Sequence, residues 1–367
     1  MIRVLQVFFS MNCGGAENML MNLYRKIDRE KVQFDFVVHT DRKSFFEDEI
    51  LSMGGRIYRA PKYNFVNHFK YKKWWNKFLC EHKEYGVIHG HLYSIAPIYL
   101  GVARKYGLKT IIHSHSASDR ASMKNILKAY LKSKAGTCAD YLFACSEAAG
   151  KWLYGRSVSE KENYILLKNA IDTEKYVYNE DTVRKVRDEF KLGDKFVVGH
   201  VGRLFGPKNH MYLIDVFCEI LKKKPDAMLM LVGTGPMKEE IEVRISERGI
   251  TESVIMTGVR SDVHRVMQAM DCFAFPSLYE GLPVTVVEAQ TASLPCFVSD
   301  AVTDEICITN LVKRLSIEKS PKEWAEEILK ITEIFKKRNT RQEIIDSGYD
   351  IASTAEWLEN FYLKAGK

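Results

Sequence analysis

Short apolar runs alternate with longer amphipathic stretches along the whole chain. In the first half VLQVFF (4–9), FDFVVHT (34–40), VIHGHL (87–92), TIIHSHS (110–116) and YLFACS (141–146) predict strands. Between them lie stretches with helical spacing, such as AENMLMNLYRKI (16–27). KFVVGHVG (195–202), AMLMLVG (227–233), VIMTG (254–258), CFAFPS (272–277) and PCFVSD (295–300) predict strands in the second half. Strands alternating with helices imply an α/β chain whose parallel sheets are covered on both faces. The charged stretch EKYVYNEDTVRKVRDEFKLGDK (174–195) follows LLKNAID and separates the halves, with the boundary between 165 and 185. The division expected is 1–170, 171–348, and a helical tail over 349–367, where TAEWLENFYLKAGK has no strand after it.

Both halves open with an apolar strand, then glycines, then a helix. After the first strand come Gly14 and Gly15, where the backbone approaches a ligand closely or simply turns tightly. CGGAEN does not supply the GxGxxG of a dinucleotide site, which argues against a nicotinamide oxidoreductase. In GRLFGPKN (202–209) Arg203 stands at a strand end and Lys208 lies beyond Pro207, at a predicted helix start. A planar fork of donors beside a mobile point charge suits a diphosphate. In SLYEGLPVTVVEAQ (277–290) Glu280 precedes Gly281, Leu282 and Pro283, with Pro283 fitting the first helical position. Glu288 lies on that helix, roughly 7.5 Å from Pro283 along the axis. A ligand laid over this helix start meets Glu280 with one group and Glu288 with another, its anionic middle resting on backbone N–H groups. A sugar, two phosphates and a ribose have that shape, and ribose hydroxyls donate to a carboxylate.

Composition narrows the classes. The 367 residues, 46% apolar and 28% charged, describe a folded chain long enough for two domains. The longest apolar runs are too short to span a bilayer. MIRVLQVFF reads as a buried strand rather than a leader, so a cytoplasmic protein is expected. Its eight cysteines show no CxxC and read as reduced core thiols. Charge is uneven: 62–134 holds 14 Lys/Arg against three Asp/Glu, so this stretch carries +11 of a net +7 and the remainder sums to −4. Within it YKKWWNKF (71–78) and KNILKAYLKSK (124–134) mix lysines with aromatic or aliphatic positions. Such helices favour anionic membrane surfaces, or are solvated surface. No recognition module points to nucleic acid.

The E-x7-E of Glu280 and Glu288, GRLFGPKN upstream and GGAE after the first strand resemble the retaining GT-B glycosyltransferases of the GT4 family. The stretch SLYEGLPVTVVEAQTASLPCFVSDAVTDEI most resembles members that build bacterial capsular polysaccharide and exopolysaccharide. The resemblance covers nearly the whole chain. It implies two Rossmann-like domains facing across a cleft, acceptor on the first and nucleotide-sugar donor on the second, with the last helix crossing back to the first. It implies a hexosyltransferase that moves a hexose or N-acetylhexosamine from a nucleoside-diphosphate sugar, of the UDP class, to a glycan or polyprenyl-diphosphate-linked acceptor. In the family Arg203 and Lys208 match the diphosphate pair, Gly281 and Leu282 the backbone donors with Pro283 beside them, and Glu280 the glutamate at the donor sugar. Glu288 matches the ribose ligand, Val259 the position bordering the base, and Gly15, beside Gly14, the loop that closes on the phosphates. His115 matches a histidine near the sugar, with His113 two residues away as the alternative. Where the family often has Asn-Gly-Ile-Asp, this chain has Asn169-Ala170-Ile171-Asp172.

No metal or other cofactor is expected. D-x-D is absent, as in metal-independent members of the family, and the pairs His89/His91 and His113/His115 each lie on one strand with no carboxylate to complete a set. The place expected is the cytoplasm, peripheral on the inner face of the plasma membrane. Two alternatives stay open: a catalytically silent GT-B partner subunit, and a sugar-nucleotide epimerase on the same fold.

Overall fold

The computed structural model describes residues 1–115 and 134–366. The segment KNILKAYLKSK falls outside the described residues except for Lys134. β1 (Ile2–Val7), β2 (Val32–Val38), β3 (Ile57–Arg59), β4 (Tyr85–Gly90), β5 (Lys109–Ser114), β6 (Tyr141–Ala144) and β7 (Tyr164–Leu166) form one sheet in the order β3-β2-β1-β4-β5-β6-β7. β8 (Val197–Val201), β9 (Met228–Val232), β10 (Val254–Gly258), β11 (Cys272–Phe275), β12 (Cys296–Ser299) and β13 (Val312–Leu315) form a second, in the order β10-β9-β8-β11-β12-β13. Every pairing in both sheets is parallel. Parallel strands need covered faces, and each sheet carries a buried apolar cluster on either side. β3, β7 and β13 go unpredicted by the sequence. They are three or four residues long, mostly half-buried or exposed, and β3 and β13 carry Arg59, Lys313 and Arg314.

In each sheet the chain winds outward from its first strand and then returns to that strand's other side. The order therefore reverses between β1 and β4, and again between β8 and β11. Loops leaving the carboxyl ends of strands at such reversals diverge and leave a crevice, the usual ligand position in open α/β sheets.

Residues 1–170 and 351–367 form one compact unit and residues 171–350 the other. The final helix, Ile351–Ala365, belongs to the first because Ile351, Ala355, Leu358 and Tyr362 form a stripe at helical spacing. That stripe packs into the same apolar cluster as Leu20, Leu23 and Phe34. Asn169-Ala170-Ile171-Asp172 connects the units without a positive φ at Ala170, so alanine fits there as well as glycine.

In the helix His68–Glu81 the aromatic and basic positions of YKKWWNKF take opposite sides. Tyr71, Trp75 and Phe78 are buried in the first unit's core, because aromatic residues three and four apart make the inward stripe. Lys70, Lys72, Lys73 and Lys77 are left on the exposed side. All eight cysteines are free thiols, yet only Cys145, Cys272 and Cys296 are buried, while Cys13, Cys80 and Cys307 are exposed. Among the described residues no helix is long and apolar enough to cross a membrane.

Candidate functional site

The reversal between β8 and β11 gathers most of the sequence-predicted residues of the second unit. After β8 the chain runs through Gly202 and Arg203 into a single 3-10 turn, Gly206–Lys208, which contains Pro207. Asn209 then takes a left-handed conformation, φ 56°, and the helix His210–Leu221 begins. Pro207 thus sits in the turn and not at the long helix's start. After β11, residues 276–282 lead to Pro283, which is the N-cap of the helix Val284–Thr291 and not, as expected, its first residue. The two loops are tied together where the Leu278 N–H donates to the Pro207 carbonyl at 2.8 Å.

Side chains converge across that tie. The Lys208 ammonium donates to Glu280 Oε1 at 2.8 Å, with the two side chains 16% and 18% exposed. The same ammonium lies 4.4 Å from the Phe275 ring centroid, a cation–π contact that holds it over the strand end. Gly202 makes room for it, since a Cβ there would come within 3.2 Å of Lys208 Cε. Arg203 is exposed, stacks loosely over Phe205 at 5.6 Å, and forms no ion pair among the described residues.

The helix behind this pair starts without a side-chain cap. Among the described residues the N–H groups of Gly281, Leu282 and Val284 have no acceptor, and the buried hydroxyls of Ser277 and Thr285 have no partner. Uncapped N–H groups and the helix dipole present positive potential. With Arg203 unpaired alongside, the arrangement can accept an anion larger than one carboxylate. Glu288 is half-buried as a residue. Burial around its carboxyl pushes the pKa up to about 7, opposed in part by a hydrogen bond from Tyr176. Val259 follows Gly258, φ 69°, and is 77% exposed.

Two features escaped sequence reasoning. Tyr176 lies in the charged stretch that marks the boundary, and no local pattern links it to Glu288. The loop after β9 packs against the Arg203 loop: Leu204 N–H donates to Thr234 O at 3.0 Å, and a Cβ on Gly235 would lie 2.2 Å from Leu204 O. Its strand-then-glycine signal in LVGTGP is the one used to single out the other two loops.

In the first unit Gly14 caps the helix Gly15–Lys26. A Cβ on Gly14 would meet Glu17 Oε2 at 2.2 Å, whereas one on Gly15 meets nothing within 4 Å. The Glu17 carboxylate is the movable end of a flexible side chain and Gly14 has φ −100°, so sterics demand glycine at neither position. His113 is fully buried within β5, and His115 lies just past its end, half-buried, accepting or donating at Nε2 to His91 Nδ1 at 2.7 Å. Burial pushes the His115 pKa down to about 3, so its ring is neutral at physiological pH. Beside the ends of β1 and β2 lies a cavity of about 520 Å³ whose lining includes Phe9, Arg42, Lys43 and Lys62.

Comparison with known proteins decides the family. The profile of Glycosyltransferase Family 4 matches residues 13–175, and that of Glycosyl transferases group 1 matches residues 182–350. A Bacillus subtilis (strain 168) protein named as glycosyltransferase EpsF is 33% identical over 98% of this chain and 96% of its own length. The chain belongs to the GT4 glycosyltransferases. The capsular polysaccharide biosynthesis glycosyltransferase CapH of Staphylococcus aureus is 26% identical over 99% of both chains. The UDP-Gal:alpha-D-GlcNAc-diphosphoundecaprenol alpha-1,3-galactosyltransferase of Escherichia coli is 24% identical, covering 78% of this chain and 77% of its own. Anabaena HepE, solved in complex with UDP, superposes with a TM-score of 0.72 at 18% identity over 100% of this chain and 96% of that one. This GT4 chain accordingly has the GT-B fold of two Rossmann-like domains.

Proposed function

We propose that this glycosyltransferase moves a hexose or N-acetylhexosamine from a UDP-sugar to a polyprenyl-diphosphate-linked glycan, with retention at the anomeric carbon. The observation that carries the donor reading is the group at the β8/β11 reversal: Lys208 paired with Glu280, Arg203 without a counter-ion, and an uncapped helix start behind them. Two phosphates would take the place of the Glu280 carboxylate as the partner of Lys208, freeing Glu280 to accept from the sugar. Arg203 and the N–H groups of Gly281 and Leu282 complete the phosphate contacts. Glu288 accepts from the ribose, and the backbone at Val259 borders the base.

In the chemical step the bond from C1 to the β-phosphate oxygen breaks, and a bond from C1 to the acceptor oxygen forms on the same face. The acceptor's proton passes to the leaving phosphate. Charge builds on that phosphate, and fixed donors aimed at developing charge are the largest electrostatic source of rate enhancement. These donors replace a metal at the diphosphate. The names of relatives that use UDP-galactose and a diphosphoundecaprenol acceptor, or are solved with UDP, support the donor and acceptor classes. The cavity lined by Arg42 and Lys62 beside Phe9, with Asp41 also present and Lys43 paired with Asp48, keeps an excess of cations next to an apolar ring, which supports an anionic lipid-linked acceptor.

Thermal melting with UDP, GDP and ADP, each compared with its own EDTA control, tests the donor site. Ligand at 100 times its dissociation constant adds about 2.7 kcal/mol. A rise with UDP that persists in EDTA is expected. No rise with any nucleotide would overturn the donor reading and favour a silent partner subunit.

A further inference from the structure

Four histidines share one place in the first unit. β4 and β5 pair in parallel with His89 opposite Ile111 and Gly90 opposite Ile112, and that register carried onward sets His91 opposite His113. Residues two apart on a strand share a face, so all four imidazoles come together at the carboxyl ends of β4 and β5. Neighbouring ring centroids lie 4.4 Å apart for His89 and His91, 4.0 Å for His113 and His115, and 5.4 Å for His91 and His113. The sequence gives two separate pairs, each too small for a metal; their joining depends on strand register, which no local pattern reveals.

One nitrogen from each of His89, His91 and His113 lies within 4.8 Å of the other two. His89 and His113 are 1% and 0% exposed. Among the described residues His89 Nε2 and both nitrogens of His113 have no hydrogen-bond partner. Buried polar atoms are nearly always paired, so these orphaned nitrogens, with His115 Nδ1 as a fourth, point to a ligand held by the cluster. On His89 and His91 the outward nitrogen is already engaged. His89 Nδ1 lies 2.6 Å from the Tyr362 hydroxyl, and His91 Nε2 lies 2.9 Å from Gln6 Oε1. An amide oxygen only accepts, so His91 carries its proton on Nε2 and keeps a lone pair on Nδ1, to which His115 Nε2–H donates. Ligating imidazoles are held in this way, one nitrogen bonded outward and the other bearing its lone pair inward.

We propose that His89, His91 and His113 bind one divalent transition-metal ion of the zinc class. An all-imidazole set suits zinc, nickel or copper and disfavours magnesium and calcium, which take oxygen ligands. Three neutral ligands leave a fourth tetrahedral position for water or an anion. The ion takes the His91 lone pair that His115 now uses. The site lies in the first unit and the candidate diphosphate contacts in the second, so neither reading depends on the other.

The test uses the full chain, stripped with EDTA, dialysed, and titrated with Co²⁺ and then Zn²⁺. One equivalent of Co²⁺ should bind with the visible bands of tetrahedral cobalt, without thiolate charge-transfer absorption, and Zn²⁺ should displace it. His113→Asn and His91→Gln should each weaken binding at least tenfold while circular dichroism stays unchanged. Should His113→Asn fail to fold, His91→Gln, at a half-buried position past the strand end, carries the test. No bound cobalt, thiolate bands, or equal affinity in the wild type and His91→Gln would overturn the proposal.

Discussion

At the residue scale the proposed ribose contact of Glu288 would tie ligand binding to pH. Its pKa near 7 comes from burial, so it is half ionised at neutral pH. In the proposed site ribose hydroxyls would donate to the ionised form, and their binding would favour loss of the proton. UDP should bind about tenfold more tightly at pH 8 than at pH 6, the ratio of ionised fractions around a pKa of 7. A Kd that does not change across this range, measured calorimetrically, would remove Glu288 from the site. Stability runs the other way. The folded pKa is raised above the ordinary 4.5, so the stability associated with the protonated carboxyl is complete below 4.5 and is lost as pH rises through about 7. Glu288→Gln removes that ionisation. Urea denaturation should show the variant gaining on the wild type by on the order of 3 kcal/mol at pH 8, and by little at pH 5.

At the scale of elements, the geometry of the proposed phosphate site depends on how the Arg203 loop hands over to its helix. Asn209 makes the connection in a left-handed conformation, φ 56°, which asparagine and glycine tolerate and β-branched residues do not. Asn209→Val should lower stability by about 1–3 kcal/mol and weaken UDP, whereas Asn209→Gly should stay near the wild type; chemical denaturation separates the two. Local signals of this kind made much of the molecule legible in sequence. Strand–glycine–helix units gave both parallel sheets, and the spacings joining Arg203 to Lys208 and Glu280 to Glu288 each fall within one short loop and the turn or helix after it. What stayed hidden needs contacts between distant segments. The Lys208–Glu280 pair, the Leu278–Pro207 tie and the four-histidine cluster depend on which strands become neighbours, and the Tyr176–Glu288 bond on which helices do. β3, β7 and β13 were hidden for another reason: they are too short, and too little buried, to show a period. The aromatic residues of the helix His68–Glu81 were ambiguous in sequence because a helical stripe looks the same whether it faces a core or a membrane.

At the scale of the whole molecule, charge is the property to test. The excess of +11 over 62–134 is opposed by −4 elsewhere, and on the helix His68–Glu81 it appears as exposed Lys70, Lys72, Lys73 and Lys77. Val66 and Phe69, 93% and 85% exposed, stand at the start of the same helix. Each lysine near an anionic surface is worth about 1 kcal/mol. Replacing Lys72, Lys73 and Lys77 by alanine should then weaken binding to phosphatidylserine vesicles on the order of a hundredfold at low salt. Unchanged sedimentation with vesicles would leave these lysines as solvated surface. The most direct test of the central claim is turnover of wild type and Arg203→Ala, read as UDP released from UDP-hexoses in the presence of a polyprenyl-diphosphate-linked glycan. Acceptor-dependent release, with kcat lowered at least about tenfold by the substitution, is the predicted result and corresponds to roughly 1.4 kcal/mol of transition-state stabilisation. An Arg203→Ala enzyme with unchanged kcat would contradict the assignment of the leaving diphosphate to this site.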